Sequence, residues 1–169
     1  MLFYILTALM VIFSLVIEGA LTLFFPWRAL PDLTLILVVT LSFLLGEERG
    51  AILGLAAGLL EDILFGYALG FFALSKMLLG MGAGLAGKEV YREKAMGPVL
   101  LVFAGTIIHE VLVYILVYLY VGLDISLEAS ITRVFLPKAL LNAVLTVPIY
   151  SLVLRMVNRR PHMWWNVNF

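Results

Sequence analysis

The sequence predicts an all-α polytopic membrane protein, a bundle of six transmembrane helices. Hydrophobic residues make up 64% of the 169-residue chain and charged residues only 13%, against about half and about a quarter in a soluble domain. Mean hydropathy is +1.13. The apolar residues fall in continuous runs, where a barrel strand would alternate apolar and polar over about ten residues. A soluble fold of this size has no interior large enough for so much apolar surface. With roughly 20 apolar residues needed per span, the chain has room for six spans on short connections. A single transmembrane domain over 1–169, with no soluble part, is the expectation.

The first span is expected over 2–25, interrupted only by Glu18. It is longer than a secretory h-region and has neither a basic n-region nor a small-residue cleavage site, so it reads as a retained helix. Pro26 to Asp32 form a proline-punctuated turn. A short second span covers 33–45, and Gly46 to Arg49 make a charged turn into a third over 50–65. Gly66 and Tyr67 break weakly before a fourth over 68–87. Five spans plus a re-entrant hairpin is the rival topology there. The stretch KEVYREK, Lys88 to Lys94, belongs in water or headgroups. Pro98 opens the fifth span, 98–121. The sixth covers 132–157 and leads into a tail with Trp164 and Trp165.

The net charge is zero, so no basic face argues for nucleic acid. The absence of cysteine excludes disulfides, thiolate metal sites and a cysteine nucleophile. Orientation follows from Lys and Arg. Arg49, Lys88, Arg92, Lys94, Arg155, Arg159 and Arg160 fall on one side and Arg28 and Arg133 on the other, while Lys76 and Lys138 lie within spans. Both termini are therefore expected in the cytoplasm.

The clearest pattern lies in span three, where Gly50, Gly54, Gly58, Asp62 and Gly66 recur every four residues, with Gly70 one step further. Residues four apart share a helical face, so this is a smooth groove. Apolar contact gives helices in lipid little reason to associate, whereas close backbone approach across small residues does. Span four offers Ala73, Lys76, Gly80 and Gly84 on a similar spacing. The expectation is tight packing of spans three and four, with a partner's helix on the glycine face as the second reading. Intramembrane ionisable groups must face the interior, since each costs at least about 2.5–3.5 kcal/mol at the bilayer centre. Depth suggests Lys76 with Glu110 near the midplane, close to His109, and Glu18, Asp62 and Lys138 as a second cluster. Register-fixing pairs are one reading, a proton or substrate path the other. Lys138, Asn142 and Thr146 form a polar stripe in span six, with a kink expected at Pro148.

Enzyme signatures fail. His109-Glu110 begins like a zinc metalloprotease helix, but Val113 stands where the second histidine is needed. Neither a GxSxG elbow nor a phosphate loop is present. A Ser75–His109 dyad has no local support, and the two are not expected to meet. No catalytic residue, metal or cofactor is therefore assigned.

Two segments carry a family resemblance. PDLTLILVV followed by GEERGAILGLAAGLLEDILFGYALGFFALSK resembles the core of the bacterial MreD rod shape-determining family, through Pro31, Gly50, Gly54, Gly58, Leu59, Leu60, Asp62, Gly66, Leu69, Gly70 and Ala73. PKALLNAVLTVPIYSLVLRMV is similar to its last span, with Pro137, Asn142 and Pro148 in place. The resemblance covers nearly the whole chain, though glycine and apolar patterns are less specific than a catalytic signature. It implies a non-catalytic scaffold of the cell-wall elongation machinery in the bacterial inner membrane. It implies direct binding of MreC, and links through it to MreB, to RodA and to RodA's partner transpeptidase. It also implies a fold like the substrate-binding subunit of energy-coupling-factor transporters, which keeps a small-ligand- or lipid-binding subunit as the alternative. A homo-oligomer stays open. On this reading Lys88, Arg92 and Lys94 form the largest cytoplasmic handle.

Overall fold

The computed structural model describes residues 2–24, 29–66, 69–88, 95–122 and 126–158. Trp27, Arg28, Arg92, Lys94, Arg159, Arg160, Trp164 and Trp165 lie outside them. The described residues form helices joined by short turns, without a strand. The helices are α1 (Leu2–Phe24), α2 (Leu33–Leu45), α3 (Glu47–Phe65), α4 (Phe71–Ala86), α5 (Met96–Val121), the short α6 (Leu127–Ser130) and α7 (Leu136–Asn158). A π-helical segment, Ile131–Phe135, joins α6 to α7. Six rods thus stand where six spans were expected.

Among the described residues, three rods are long and apolar enough to cross a bilayer, through Ile5–Phe24, Met96–Tyr120 and Leu127–Val157. Helices α2 and α4 are shorter, and α3 carries charges at both ends. The third rod starts at Glu47 rather than Gly50, because Gly46 alone makes the turn. Its φ of +93° is open to glycine at little cost, and its N–H closes α2 on the Ser42 carbonyl at 2.9 Å. Glu47 and Glu48 then favour the positive end of the α3 dipole. The sixth rod starts at Leu127 rather than Thr132, capped by the Ser126 hydroxyl. Its widened turn ends just before Pro137, whose ring would crowd the carbonyl four residues back in a regular helix. Pro98 sits in the first turn of α5, where its missing N–H costs nothing. Helix α7 continues through Pro148.

Helix α2 is the axis of the molecule. Every residue from Thr34 to Leu44 is buried, because α2 touches α1, α3, α4, α5 and α7. Its hydroxyls are satisfied locally where they can be, as Thr40 donates to the Ile36 carbonyl at 2.7 Å. The core around it joins Leu37, Leu41, Phe43 and Leu44 to Tyr150 and Val153 of α7. Leu35, Ile36 and Val39 pack on Ala83 of α4 and Val102 of α5. Outward, α1, α5 and α7 present large apolar side chains such as Phe13, Leu23, Leu119 and Val144. Helices α3 and α4 add Ile52, Ile63 and Leu78 to this surface, and so much exposed apolar area is what lipid or a partner helix covers.

Candidate functional site

The α3–α4 pair is the tightest contact in the molecule. A Cβ at Gly50 would strike the Gly80 carbonyl, one at Gly54 the Lys76 carbonyl, one at Gly58 the Ala73 backbone and one at Gly84 the Gly46–Glu47 peptide. The smooth face of α3 is therefore filled by α4, backbone against backbone, and has no room for a partner's helix. Gly66 stands against Asp62, whereas Gly70 has open space around it and serves its φ of +107°. That turn is held by Asp62. Its two oxygens accept the backbone N–H groups of Gly70 at 2.9 Å, Phe72 at 2.9 Å and Ala73 at 3.0 Å. Asp62 thus caps α4 from the preceding helix, and the expected Glu18–Asp62–Lys138 cluster does not form. Asp62→Ala strands three amides at a buried helix start. We expect a loss of about 1–3 kcal/mol in thermal unfolding, with Asp62→Asn intermediate because it keeps one accepting oxygen.

Close approach of α3 and α4 places Lys76 in the centre of the bundle, 0% exposed. Its Nζ donates to Asp32 Oδ1 at 2.8 Å and to Glu61 Oε2. Glu110 pairs instead with Lys138, at 2.7 Å. The expected Lys76–Glu110 pair is thus replaced by three others, Lys76 with Asp32 and with Glu61, and Lys138 with Glu110. The reason is rotational: Glu61 lies on the α4-facing side of α3, nearer to Lys76 than anything on α5. Glu18, Asp32 and Glu61 bring carboxylate oxygens within 4.8 Å of one another. Three such groups could hold a metal ion, but the Lys76 ammonium is already bonded to two of them. Glu18 is tied down as well, accepting from Thr34 N at 2.7 Å and Thr34 Oγ1 at 3.1 Å.

Asp32 is the hub. Its Oδ1 also accepts from Leu35 N at 2.6 Å, capping α2. Its own N–H donates to Asn142 Oδ1 at 2.9 Å, and Asn142 Nδ2 donates to Thr106 Oγ1 at 3.0 Å. One carboxylate and one amide so connect α2, α4, α5 and α7. The polar stripe of α7 does face inward: Asn142 and Thr146 are fully buried. Asp32 Oδ2 has no hydrogen bond and faces His109 Nε2 at 3.8 Å. The other ring nitrogen, Nδ1, lies 2.5 Å from Ser75 Oγ. The expectation that Ser75 and His109 stay apart is overturned, since helices α4 and α5 pack directly. Serine, imidazole and carboxylate stand in a row, yet Ser75 is 1% exposed, His109 2% and Asp32 3%. A hydroxyl so enclosed offers a substrate no approach. At the α2–α3 turn, exposed Lys88 bonds half-buried Glu47 at 2.5 Å. That hydrogen bond holds the Glu47 carboxyl below its usual range. An exposed pair of this kind contributes little to stability.

Sequence reading missed Asp32 and Glu61. Asp32 stands among turn residues and looks like a loop acid; its preceding proline and following apolar run mark it as a helix cap. Glu61 was hidden by its neighbour Asp62, which continues the glycine period. A second acid inside an apolar helix was the available signal.

Neither a curated protein nor a solved structure matches the chain. The family model described as rod shape-determining protein MreD matches residues 1–166. With its apolar rods and its match over nearly every residue, the chain is a membrane protein that belongs to the MreD family.

Proposed function

We propose that this protein is a non-catalytic scaffold of the bacterial cell-wall elongation complex. It lies in the cytoplasmic membrane with both termini inside, and it binds MreC directly. Family membership supplies the setting, rod shape determination. The observation that carries the scaffold reading is the disposition of polar and apolar groups. The ionisable side chains of the bundle interior bond one another across five helices, while α1, α5 and α7 keep broad apolar faces outward. A rigid interior with adhesive outer faces suits holding partners together. MreB, RodA and its partner transpeptidase are reached through the same complex. The likeness to the substrate-binding subunit of energy-coupling-factor transporters belongs to this reading as a proposal about shape.

The 2.5 Å contact of Ser75 with His109 is the one observation that favours a catalytic reading. Two features oppose it: the enclosure of the hydroxyl, and a His109–Asp32 separation too long for a hydrogen bond.

The partner's place is testable because the native chain has no thiol. Single cysteines at outward Phe13, Val16, Leu100, Val144 and Leu152, with buried Val38 as control, are to be crosslinked in membranes containing MreC. Adducts are expected along one of the three outer helices and absent at Val38. If no outward position on α1, α5 or α7 yields an MreC adduct, with both proteins present in the membrane, direct binding through these faces is wrong.

A further inference from the structure

Helix α1 leans on α2 and stands off α3. Glu18 and Ser14 bond Thr34 of α2, and Gly19 meets the ring of Phe65 at the end of α3. On the side of that crossing toward Arg49, the two helices enclose a groove of about 310 Å³. Its walls are Ala8 and Ile12 from α1, Leu45 from α2, and Ile52 and Ala56 from α3. Apart from Thr7 the lining is apolar until Arg49 at its end. Among the described residues no carboxylate lies within ion-pair distance of that guanidinium, although Glu47 and Glu48 share its turn.

We propose that this groove is a binding site for an anionic glycerophospholipid, one acyl chain between α1 and α3 and the phosphate on Arg49. The lining chemistry is that of an acyl chain. A half-buried guanidinium at the end of an apolar slot, with no ion pair among the described residues, suits an anion at headgroup level, and its planar fork matches phosphate. Charge argues against a helix from another protein. A helix docking its apolar face there would leave the Arg49 guanidinium without an anion, which a lipid phosphate supplies. The site is separate from the Lys76 cluster and stands independently of the scaffold reading.

The test equilibrates the full-length protein in detergent with vesicles of equimolar phosphatidylglycerol and phosphatidylcholine, then weighs it by native mass spectrometry. The wild type is expected to retain one phosphatidylglycerol per chain, favoured over phosphatidylcholine by about five-fold, the worth of one basic residue at a membrane surface. Arg49→Gln should retain a lipid but lose the preference. Ala56→Trp, which fills the slot from an exposed position, should lose both lipids; Ala8→Trp serves from the facing wall if that variant does not elute as a single species. Three outcomes overturn the proposal: equal retention of the two lipids by the wild type, an undiminished preference in Arg49→Gln, or undiminished lipid in a folded tryptophan variant. A protein adduct, rather than a lipid adduct, at Ile52→Cys in native membranes would also overturn it.

Discussion

Replacing Lys76 with methionine is expected to cost the protein about 3–5 kcal/mol of its stability. The side chain is fully enclosed and bonded to Asp32 and Glu61. Methionine fills much the same volume, so the effect isolates the charge. Without the ammonium, Asp32 and Glu61 face each other and Glu18 with no counter-charge between them. Breaking a buried ion pair by removing one member costs about 3–5 kcal/mol, a large part of the roughly 5–15 kcal/mol that holds a typical protein folded. The variant should accumulate poorly, and the purified fraction should melt well below the wild type when heated and passed over a sizing column. Adding Glu61→Gln should recover part of the loss, because it removes one stranded charge while Asp32 keeps its cap on α2. Coupling between contacting residues of about 0.5–3 kcal/mol is usual, and this pair belongs at the upper end. A Lys76→Met protein that melts with the wild type would show that the cluster does not hold α2, α3 and α4 together.

The second large effect separates two glycines. At Gly54 an added Cβ would fall on the carbonyl of Lys76, which is main chain and cannot rotate away. Gly54→Ala must push α3 from α4 and displace Lys76 with it. A loss of about 1–3 kcal/mol is expected, as for overpacked cores, and more for valine or leucine. Gly82 lies on the outer side of α4 with nothing within 4 Å of the same atom. There alanine only gains helix propensity, worth up to about 1 kcal/mol, so Gly82→Ala should melt at or above the wild type. Comparing the two by thermal unfolding in one detergent checks the backbone contact itself; equal melting of the two would refute it.

These two sites show what could be read from the chain and what could not. The runs of apolar residues located six rods to within a few residues, and a four-residue glycine period announced the α3–α4 contact. Both are one-dimensional signals, because a helix repeats along its own sequence. Pairing of charges is different. Position within a span gives depth, and depth alone put Lys76 beside Glu110. The actual partner depends on rotation about each helix axis and on which rods are neighbours, and neither is written locally. Asp62 shows the same limit in another form. Its partners are backbone amides eight to eleven residues ahead, legible only once the turn around Gly70 is known. Ser75 and His109, 34 positions apart, meet only because α4 and α5 adjoin.

The enclosure of α2 has a consequence for how such a chain is made. This 13-residue helix, about 20 Å long, leaves the ribosome before four of the five neighbours that will wrap it. Carrying three hydroxyls but no charge within its length, it can wait in lipid at small cost. Glu61 and Lys76 cannot wait in the same way, and α3 with α4 must enter the bilayer as a neutralised hairpin. Synthesis order and charge placement therefore agree: the segment that tolerates solitude comes first, and those that need company arrive together.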